Sequence, residues 1–196
     1  MLNKVTLLGT VSKAPELLYT NKKGQSKYQF FIDCERKSGV IDTIPVICHG
    51  NDLKVGEEIE VGGTYSSFNK LEDNKSRLKL HVHAVDIQFV SLAMEDINEI
   101  ELEGTVCKKP IVRSTPFGKD IADILLAVNR PNTMKSDYIP IIVWSGNAKK
   151  AENFDIGTKL YIKGRIQSRQ YTKEEVEHTA YEVSAGYIEI LENTEI

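Results

Sequence analysis

The sequence has little of what several common classes of protein require. Its three cysteines, Cys34, Cys48 and Cys107, lie far apart and form no Cys-x-x-Cys pair, which argues against a disulfide framework or a zinc site. We expect them to be small apolar fillers. No apolar run approaches the roughly 18 residues of a membrane-spanning helix. The first residues enter the folded pattern at once and leave no room for a signal peptide, so we expect a cytoplasmic protein with no membrane contact.

Motifs for catalysis and cofactor binding are also missing. The chain has no Gly-x-Ser-x-Gly, no phosphate-cradling Gly-Lys motif, no His-Glu-x-x-His and no evident carboxylate cluster, so we expect neither an enzyme nor a cofactor. His81 and His83 share one face of a predicted strand, but no third ligand stands at a recognisable spacing, and we expect no metal. An excess of positive charge is missing as well. The net charge is −3, whereas nucleic-acid binders are usually basic. Whether this chain binds nucleic acid therefore depends on how its charges are distributed over its faces.

What the sequence does have is an internal repeat, which is the first feature to interpret. Residues of the first segment recur 95 positions later, then 94, and after an insertion 101 positions later, so that Gly63 corresponds to Gly164. The repeat predicts two domains, residues 1–95 and residues 96–196. The residues of the first segment that recur are Asn3, Leu7, Gly9, Thr10, Val11, Lys13 and Pro15, matched by Asn98, Leu102, Gly104, Thr105, Val106, Lys108 and Pro110.

Each half reads as about five strands with turn signals between them, which favours an all-β barrel or sandwich. In the second half we predict strands near 98–106, 121–130, 137–145, 158–171 and 178–191. The only predicted helix there is Asn147 to Phe154. The first half has a shorter connection at the same place, so we expect no helix in it.

Alternation along the third strand of the second half separates two faces, because side chains two residues apart point the same way. Ile139, Ile141 and Val143 form a core face, whereas Tyr138 and Trp144 lie on the opposite, outer face. On the fourth strand a second outer face combines aromatic rings with cations, which suits single-stranded nucleic acid, whose bases stack on rings while phosphates meet Lys and Arg. The residues of that face are Tyr161, Lys163, Arg165, Gln167, Arg169 and Tyr171.

The second half resembles the bacterial single-stranded DNA-binding protein family. The resemblance rests on Asn98-x-x-x-Leu102-x-Gly104, Pro110-x-x-Arg113-x-Thr115-x-x-Gly118, Leu126-Ala127-Val128-Asn129-Arg130, Ala151-Glu152-Asn153 and Gly164-Arg165-Ile166-Gln167-Ser168-Arg169-x-Tyr171. It implies a five-stranded oligonucleotide-binding (OB) barrel in each half. It also implies that Tyr138, Trp144 and Tyr171 stack on DNA bases. The other expected DNA contacts in this half are Lys108, Arg113, Arg130, Lys163, Arg165, Gln167 and Arg169.

The first half keeps the skeleton but has Thr43, His49 and Lys70 at the three stacking positions. We therefore expect it to act mainly as a scaffold or in assembly. Its possible DNA contacts are His49, Phe68, Lys70 and Arg77.

The resemblance further implies four barrels per assembly, so this two-barrel chain is expected to form a homodimer. Replication or repair proteins are possible partners, but the chain stops at Glu192 to Ile196 without the family's long linker and acidic tip, so recruitment through such a tail is not expected. Two alternatives stay open. Tyr138 or Tyr171 could lie at a subunit contact, and the whole chain could be a primosome-like accessory module that binds nucleic acid only weakly.

Overall fold

A computed structural model describes residues 1–50, 52–72, 74–91, 94–115, 118–173 and 175–192. These residues are almost entirely β-strand with one short helix, which confirms the predicted all-β class. None of their helices is long and apolar enough to cross a membrane. The elements are β1 (Asn3–Thr20), β2 (Ser26–Glu35), β3 (Ile41–Cys48), β4 (Glu58–Glu72), β5 (Lys75–Phe89), β6 (Ile97–Val106), β7 (Ile111–Ser114), β8 (Asp120–Asn129), β9 (Ser136–Trp144), α1 (Gly146–Ala151), β10 (Lys159–Lys173) and β11 (Val176–Ile190).

The five strands of the first repeat close into a barrel in the order β1–β2–β3–β5–β4–β1. Neighbouring strands are antiparallel except β3 and β5, which run parallel. Every second residue of the strands points inward, and Leu7, Phe30, Ile44 and Val61 are completely buried there. This is the OB fold that the sequence predicted for the first half.

The second repeat builds the same barrel in the order β6–β8–β9–β11–β10–β6. Its β9 and β11 are the parallel pair, joined at Val183 and Ile141. The interior is again apolar, with Leu102, Leu126 and Ile162 completely buried. Two tandem OB barrels are thus confirmed.

A proline marks where the two repeats differ most in backbone. In the first repeat β1 passes Pro15 as one long strand, with a register shift against β2 between Lys13 and Glu16. In the second repeat the corresponding strand stops at Val106 and resumes after Pro110 as β7. Because proline donates no amide hydrogen, it interrupts a strand ladder wherever that hydrogen would be needed, and irregular places such as these accommodate it. The sequence did not predict β7.

Two pairs of repeated glycines occupy positions where strands cross closely. A Cβ atom on Gly9 or on Gly104 would overlap a backbone carbonyl oxygen of the next strand. The same is true of Gly63 and Gly164. Since only glycine leaves room for that oxygen, the repetition of these residues reflects closure of the barrel.

The one helix, α1, is shorter than the predicted range from Asn147 to Phe154, since its regular part ends at Ala151. Ala148 and Ala151 are completely buried, so its small residues face the protein. At its start, Ser145 has a φ of 51° and forms no side-chain cap, so the hydrogen bond by which a capping side chain stabilises a helix start is missing. Between β3 and β4 the described residues of the first repeat form no helix.

The described chain groups into two compact units. The first unit comprises Lys4–Glu99 together with Gln167–Ala180. The second unit comprises Met1–Asn3, Ile100–Ile166 and the chain from Tyr181 onward. The far end of the β10–β11 hairpin therefore belongs to the first unit, although its sequence lies in the second repeat. The domain boundary at residues 95 and 96 stays a prediction.

Candidate nucleic-acid interface

The outer face of β9, in the second unit, presents two large aromatic rings. Ile139, Ile141 and Val143 point into the barrel and are at most 2% exposed, whereas Tyr138 is 47% and Trp144 is 39% exposed. Six residues separate the two rings, which corresponds to about 20 Å along a strand. Large rings held in water on a rigid strand offer open faces on which bases can stack.

An ion pair that involves the neighbouring strand reduces the negative charge beside these rings. On β8, Asp123 lies opposite Ile142, between the two rings. The Nε of Arg113 donates to the Asp123 carboxylate at 2.9 Å, and this bond raises the pKa of the guanidinium. Lys108, just after β6, is exposed. The predicted contacts Arg113 and Lys108 thus lie at the surface, with Arg113 neutralising a carboxylate that would repel phosphate.

The third predicted stacking residue, Tyr171, lies in the first unit near the end of β10. Its ring is 40% exposed and stacks on His178 of β11, with centroids 5.4 Å apart and planes at 30°. The Arg169 guanidinium lies 5.7 Å from the centre of the Tyr171 ring. A ring, an imidazole and a cation are therefore grouped on one side of this hairpin, as cation–π contact favours.

The cations at the start of β10 have partners of their own. Lys163 lies 3.6 Å from Glu101 of β6, and the Tyr161 hydroxyl donates to the same carboxylate at 2.7 Å. That hydrogen bond raises the pKa of Tyr161. Arg165 is half-buried, and Gln167 is only 8% exposed. The alternation of inward and outward side chains that the sequence predicted for this strand is interrupted here, because the buried Gln167 directly follows another buried residue.

Arg130, also predicted to contact DNA, forms an internal ion pair. Its Nε and Nη2 donate to the two carboxylate oxygens of Asp137 at 2.9 Å and 2.7 Å, which raises the pKa of the guanidinium. Asp137 is buried. The first repeat has the same two-pronged pair at the equivalent place, where Arg36 donates to the buried Asp42 at 2.6 Å through both nitrogens. The pair therefore belongs to the framework that both repeats share.

The basic β4–β5 hairpin of the first unit surrounds one acid. Lys70, Arg77 and Lys79 lie 3.3, 3.8 and 2.9 Å from the Glu72 carboxylate. The hydrogen bond from Lys79 is the main cause of the lowered pKa of Glu72. Three cations against one carboxylate leave this hairpin positive, so Lys70 and Arg77 sit where phosphate would be attracted.

Histidines occupy the rest of the outer face of the first barrel. Phe68 is 41% exposed and meets His81 edge-on, with centroids 5.5 Å apart. His49, at the end of β3, accepts a hydrogen bond from Lys27 at 2.7 Å and lies 6.3 Å from His83. Sequence reasoning missed Lys27 and His83 as neighbours of His49. Only the strand register, which places β2 and β5 on either side of β3, reveals them.

No metal centre accompanies these histidines in the described part of the chain, where no three His, Cys, Asp or Glu side chains come together in a suitable group.

Comparison with known proteins gives the family. Residues 97–191 match the model of the single-strand binding protein family. Single-stranded DNA-binding protein 3 of Clostridium acetobutylicum is 33% identical over 103 residues, a match that covers 49% of this chain and 72% of the relative. The chain belongs to the single-strand binding protein family. Single-stranded DNA-binding protein 2 of Listeria innocua is 35% identical over 103 residues, covering 49% of this chain and 65% of the relative. The chain spans about half to two thirds of the length of this and the next relatives.

Solved structures extend the likeness over both repeats. The wild-type single-stranded DNA binding protein from Thermus aquaticus has a TM-score of 0.78 at 20% identity, covering 100% of this chain and 95% of that one. A deletion mutant of the same protein gives 0.78 at 21% identity, covering 99% and 97%. At this identity the likeness establishes the fold. It shows that the first repeat, outside the family match, shares the architecture of the second.

Proposed function

We propose that this member of the single-strand binding protein family binds single-stranded DNA with little regard to base sequence. The observation that carries the proposal is the exposure of all three rings at the family's stacking positions, between 39% and 47%. We call Tyr138, Trp144 and Tyr171 the stacking set. Each stacked base contributes about 1–3 kcal/mol, and every base has a face that can stack, so affinity does not depend on reading base edges.

Phosphate contacts are proposed around these rings. Lys108 and Arg169 form no ion pair with a carboxylate among the described residues, so both can meet phosphate without breaking one. Lys163 and Arg113 share their charge with Glu101 and Asp123, and DNA would compete for them. Arg165, which is half-buried on the same strand as Lys163, is proposed as a further phosphate contact. We propose a supporting role for Gln167, which is buried, and for Arg130, which is held by the buried Asp137.

The first repeat is proposed to serve as scaffold and to add contacts through the β4–β5 hairpin. The alternative of a partner-holding module is not favoured, because the relatives compared above are named for DNA binding. We propose that the chain binds rather than catalyses and acts in DNA replication, recombination or repair in the cytoplasm, where bacterial DNA becomes single-stranded.

Assembly is proposed to be a homodimer, which would bring four barrels together by closed two-fold symmetry. Light scattering of the purified 22.1 kDa chain checks this, with twice that mass as the expected value. A monomer at the concentrations that bind DNA would contradict it.

Trp144 provides the test of the proposed function, because it is the single tryptophan of the chain. Titration with oligo(dT) is expected to quench its emission strongly, since a base stacked on the indole replaces water. Raising the salt concentration should weaken the quenching, because phosphate contacts release counterions on binding. Unchanged emission at micromolar strand, together with no change in the anisotropy of a labelled strand, would contradict DNA binding.

A further inference from the structure

A cluster of three basic side chains lies on the outer face of the first barrel. Nζ of Lys27 in β2 and Nε2 of His49 are hydrogen-bonded at 2.7 Å. His83 of β5 lies beside His49, with ring centroids 6.3 Å apart and planes at 65°. We call Lys27, His49 and His83 the Lys27 cluster. It lies where the second barrel has Trp144, since His49 directly follows β3 and Trp144 ends the corresponding strand β9.

The groups around this cluster give it no counter-charge. Within the described residues, no carboxylate lies at ion-pair distance from any of its three members. On β3 the neighbouring Cys48 thiol stays neutral, because burial raises its pKa. On β4 the residue opposite His83 is the uncharged Thr64. Each proton that the cluster gains therefore adds uncompensated positive charge.

Burial and mutual repulsion disfavour protonation of His83 when no anion is present. Burial, then the proximity of Lys27 and His49, lowers the pKa of His83. Partial burial also lowers the pKa of Lys27. An anion at this place would reverse the balance, because it compensates the charge that burial and repulsion disfavour. The β4–β5 hairpin differs, since there Glu72 already supplies a negative charge.

We propose that the Lys27 cluster is a phosphate site of the first barrel, which takes a backbone phosphate of the bound strand together with protons. The inference rests on the proposed function, and it assigns to the first repeat a binding mode different from ring stacking. Because binding takes up protons, the affinity for single-stranded DNA rises as the pH falls through the range in which histidine titrates. One histidine whose titration midpoint rises by about one unit supplies roughly a tenfold increase.

The experiment follows the histidine ring resonances by NMR in the full chain. Titration midpoints of His49 and His83 are measured alone, with inorganic phosphate, and with an oligo(dT) of about 30 nucleotides, which exceeds most single-barrel footprints. Oligo(dT) is expected to raise both midpoints, and its affinity is expected to be roughly three- to tenfold higher at about pH 5.5 than at about pH 7.5. The exposed His49→Gln should reduce this pH dependence without affecting folding. The matched control, His178→Gln on the β10–β11 hairpin, should retain it.

The other outcomes overturn the inference in distinguishable ways. If inorganic phosphate raises the midpoints and oligo(dT) does not, the cluster is a site for free phosphate. If His178→Gln removes the pH dependence and His49→Gln does not, the protons bind elsewhere. If Trp144 is quenched while neither midpoint moves, the proposed function stands and the inference fails. If oligo(dT) neither quenches Trp144 nor binds by anisotropy, the proposed function itself has failed.

Discussion

Single positions decide which repeat can stack bases. The stacking set occupies three outward positions of the second repeat, and the first repeat has Thr43, His49 and Lys70 at the same places. Inward positions of both repeats stay apolar and buried. The fold therefore leaves these outward positions free to vary, because their side chains carry no part of either core. The different side chains at these positions are the basis for proposing that the two barrels contact DNA in different ways.

Trp144→Ala is expected to weaken oligo(dT) binding by roughly 5- to 150-fold, because one stacked base contributes about 1–3 kcal/mol. Fluorescence anisotropy of a labelled strand measures the loss. The control is Tyr187→Ala, which removes a ring of the same unit that is 51% exposed but packs edge-on against Tyr161. An equal loss in both variants would contradict a specific stacking role for Trp144.

His83 is expected to make the stability of the DNA-free protein depend on pH. Burial, then Lys27 and His49, lowers its pKa in the folded chain, so below about pH 6.5 the unfolded chain binds more protons than the folded one. The free energy of unfolding should therefore fall on acidification from about pH 7.5 to about pH 5. Urea unfolding at both pH values measures the difference, which should shrink in His83→Gln. The difference between the two pH values should persist in His178→Gln. If His83→Gln showed the same difference as the wild type, His83 would not be the origin of the pH dependence.

At the scale of elements, the β10–β11 hairpin is tied to the first repeat. The backbone N–H of Ser168 donates to the buried Asp42 carboxylate at 2.8 Å, and the N–H of Thr43 donates to the Ser168 hydroxyl at 3.2 Å. Asp42 thus accepts hydrogen bonds both from Arg36 and from the backbone of the hairpin that carries Tyr171. These contacts explain why residues 167–180 group with the first unit, and they connect the first repeat to the hairpin that carries the proposed stacking residue Tyr171.

Asp42→Ala is expected to loosen this hairpin. Removing the acceptor costs about 1.5–3 kcal/mol for a hydrogen bond to a charged group, so the Ser168 amide should exchange roughly 10- to 150-fold faster. Native-state hydrogen exchange measures it residue by residue. The matched control is Asp137→Ala, which breaks the equivalent ion pair with Arg130 in the second repeat. If both variants accelerate exchange at Ser168 equally, the effect is global destabilisation.

Elements were predicted well where hydrophobic periodicity is long, and poorly where a backbone irregularity intervenes. The alternation of Ile139, Ile141 and Val143 was enough to place β9 and to orient Trp144 outward. The short strand β7 was missed because Pro110 reads as the start of a loop. Side-chain partners were beyond the sequence, since the pairing of Lys27 with His49 depends on which strands lie side by side. Arg130 illustrates the same point, because only the structure brings it to Asp137.

For the whole molecule, the net charge of −3 does not describe the surface that DNA would meet. Acidic side chains such as Glu101, Asp123 and Glu72 are held beside cations. Of the other cations, Arg169 lies beside the exposed ring of Tyr171, and Lys108 is exposed. Local potential rather than net charge determines attraction to phosphate at distances shorter than the Debye length, about 10 Å at moderate salt.

The salt dependence of the affinity for single-stranded DNA is expected to reveal the contribution of each of these cations. The slope of log affinity against log salt changes by about 0.7 for each phosphate contact on a single strand. Lys108→Gln and Arg169→Gln should each make the slope less steep by about that amount. Lys54→Gln is the control, because it removes the same charge from the exposed connection between β3 and β4. A similar change in all three variants would mean that only total charge matters.

A two-pronged Arg–Asp pair with a buried carboxylate recurs in both barrels and bears on how the repeat arose. Arg36 with Asp42 and Arg130 with Asp137 have the same geometry. One ancestral barrel that already contained the pair accounts for both copies more simply than two independent origins. Removing one partner would strand a charge, so this part of the framework resists change. The two repeats differ instead at outward positions such as those of the stacking set.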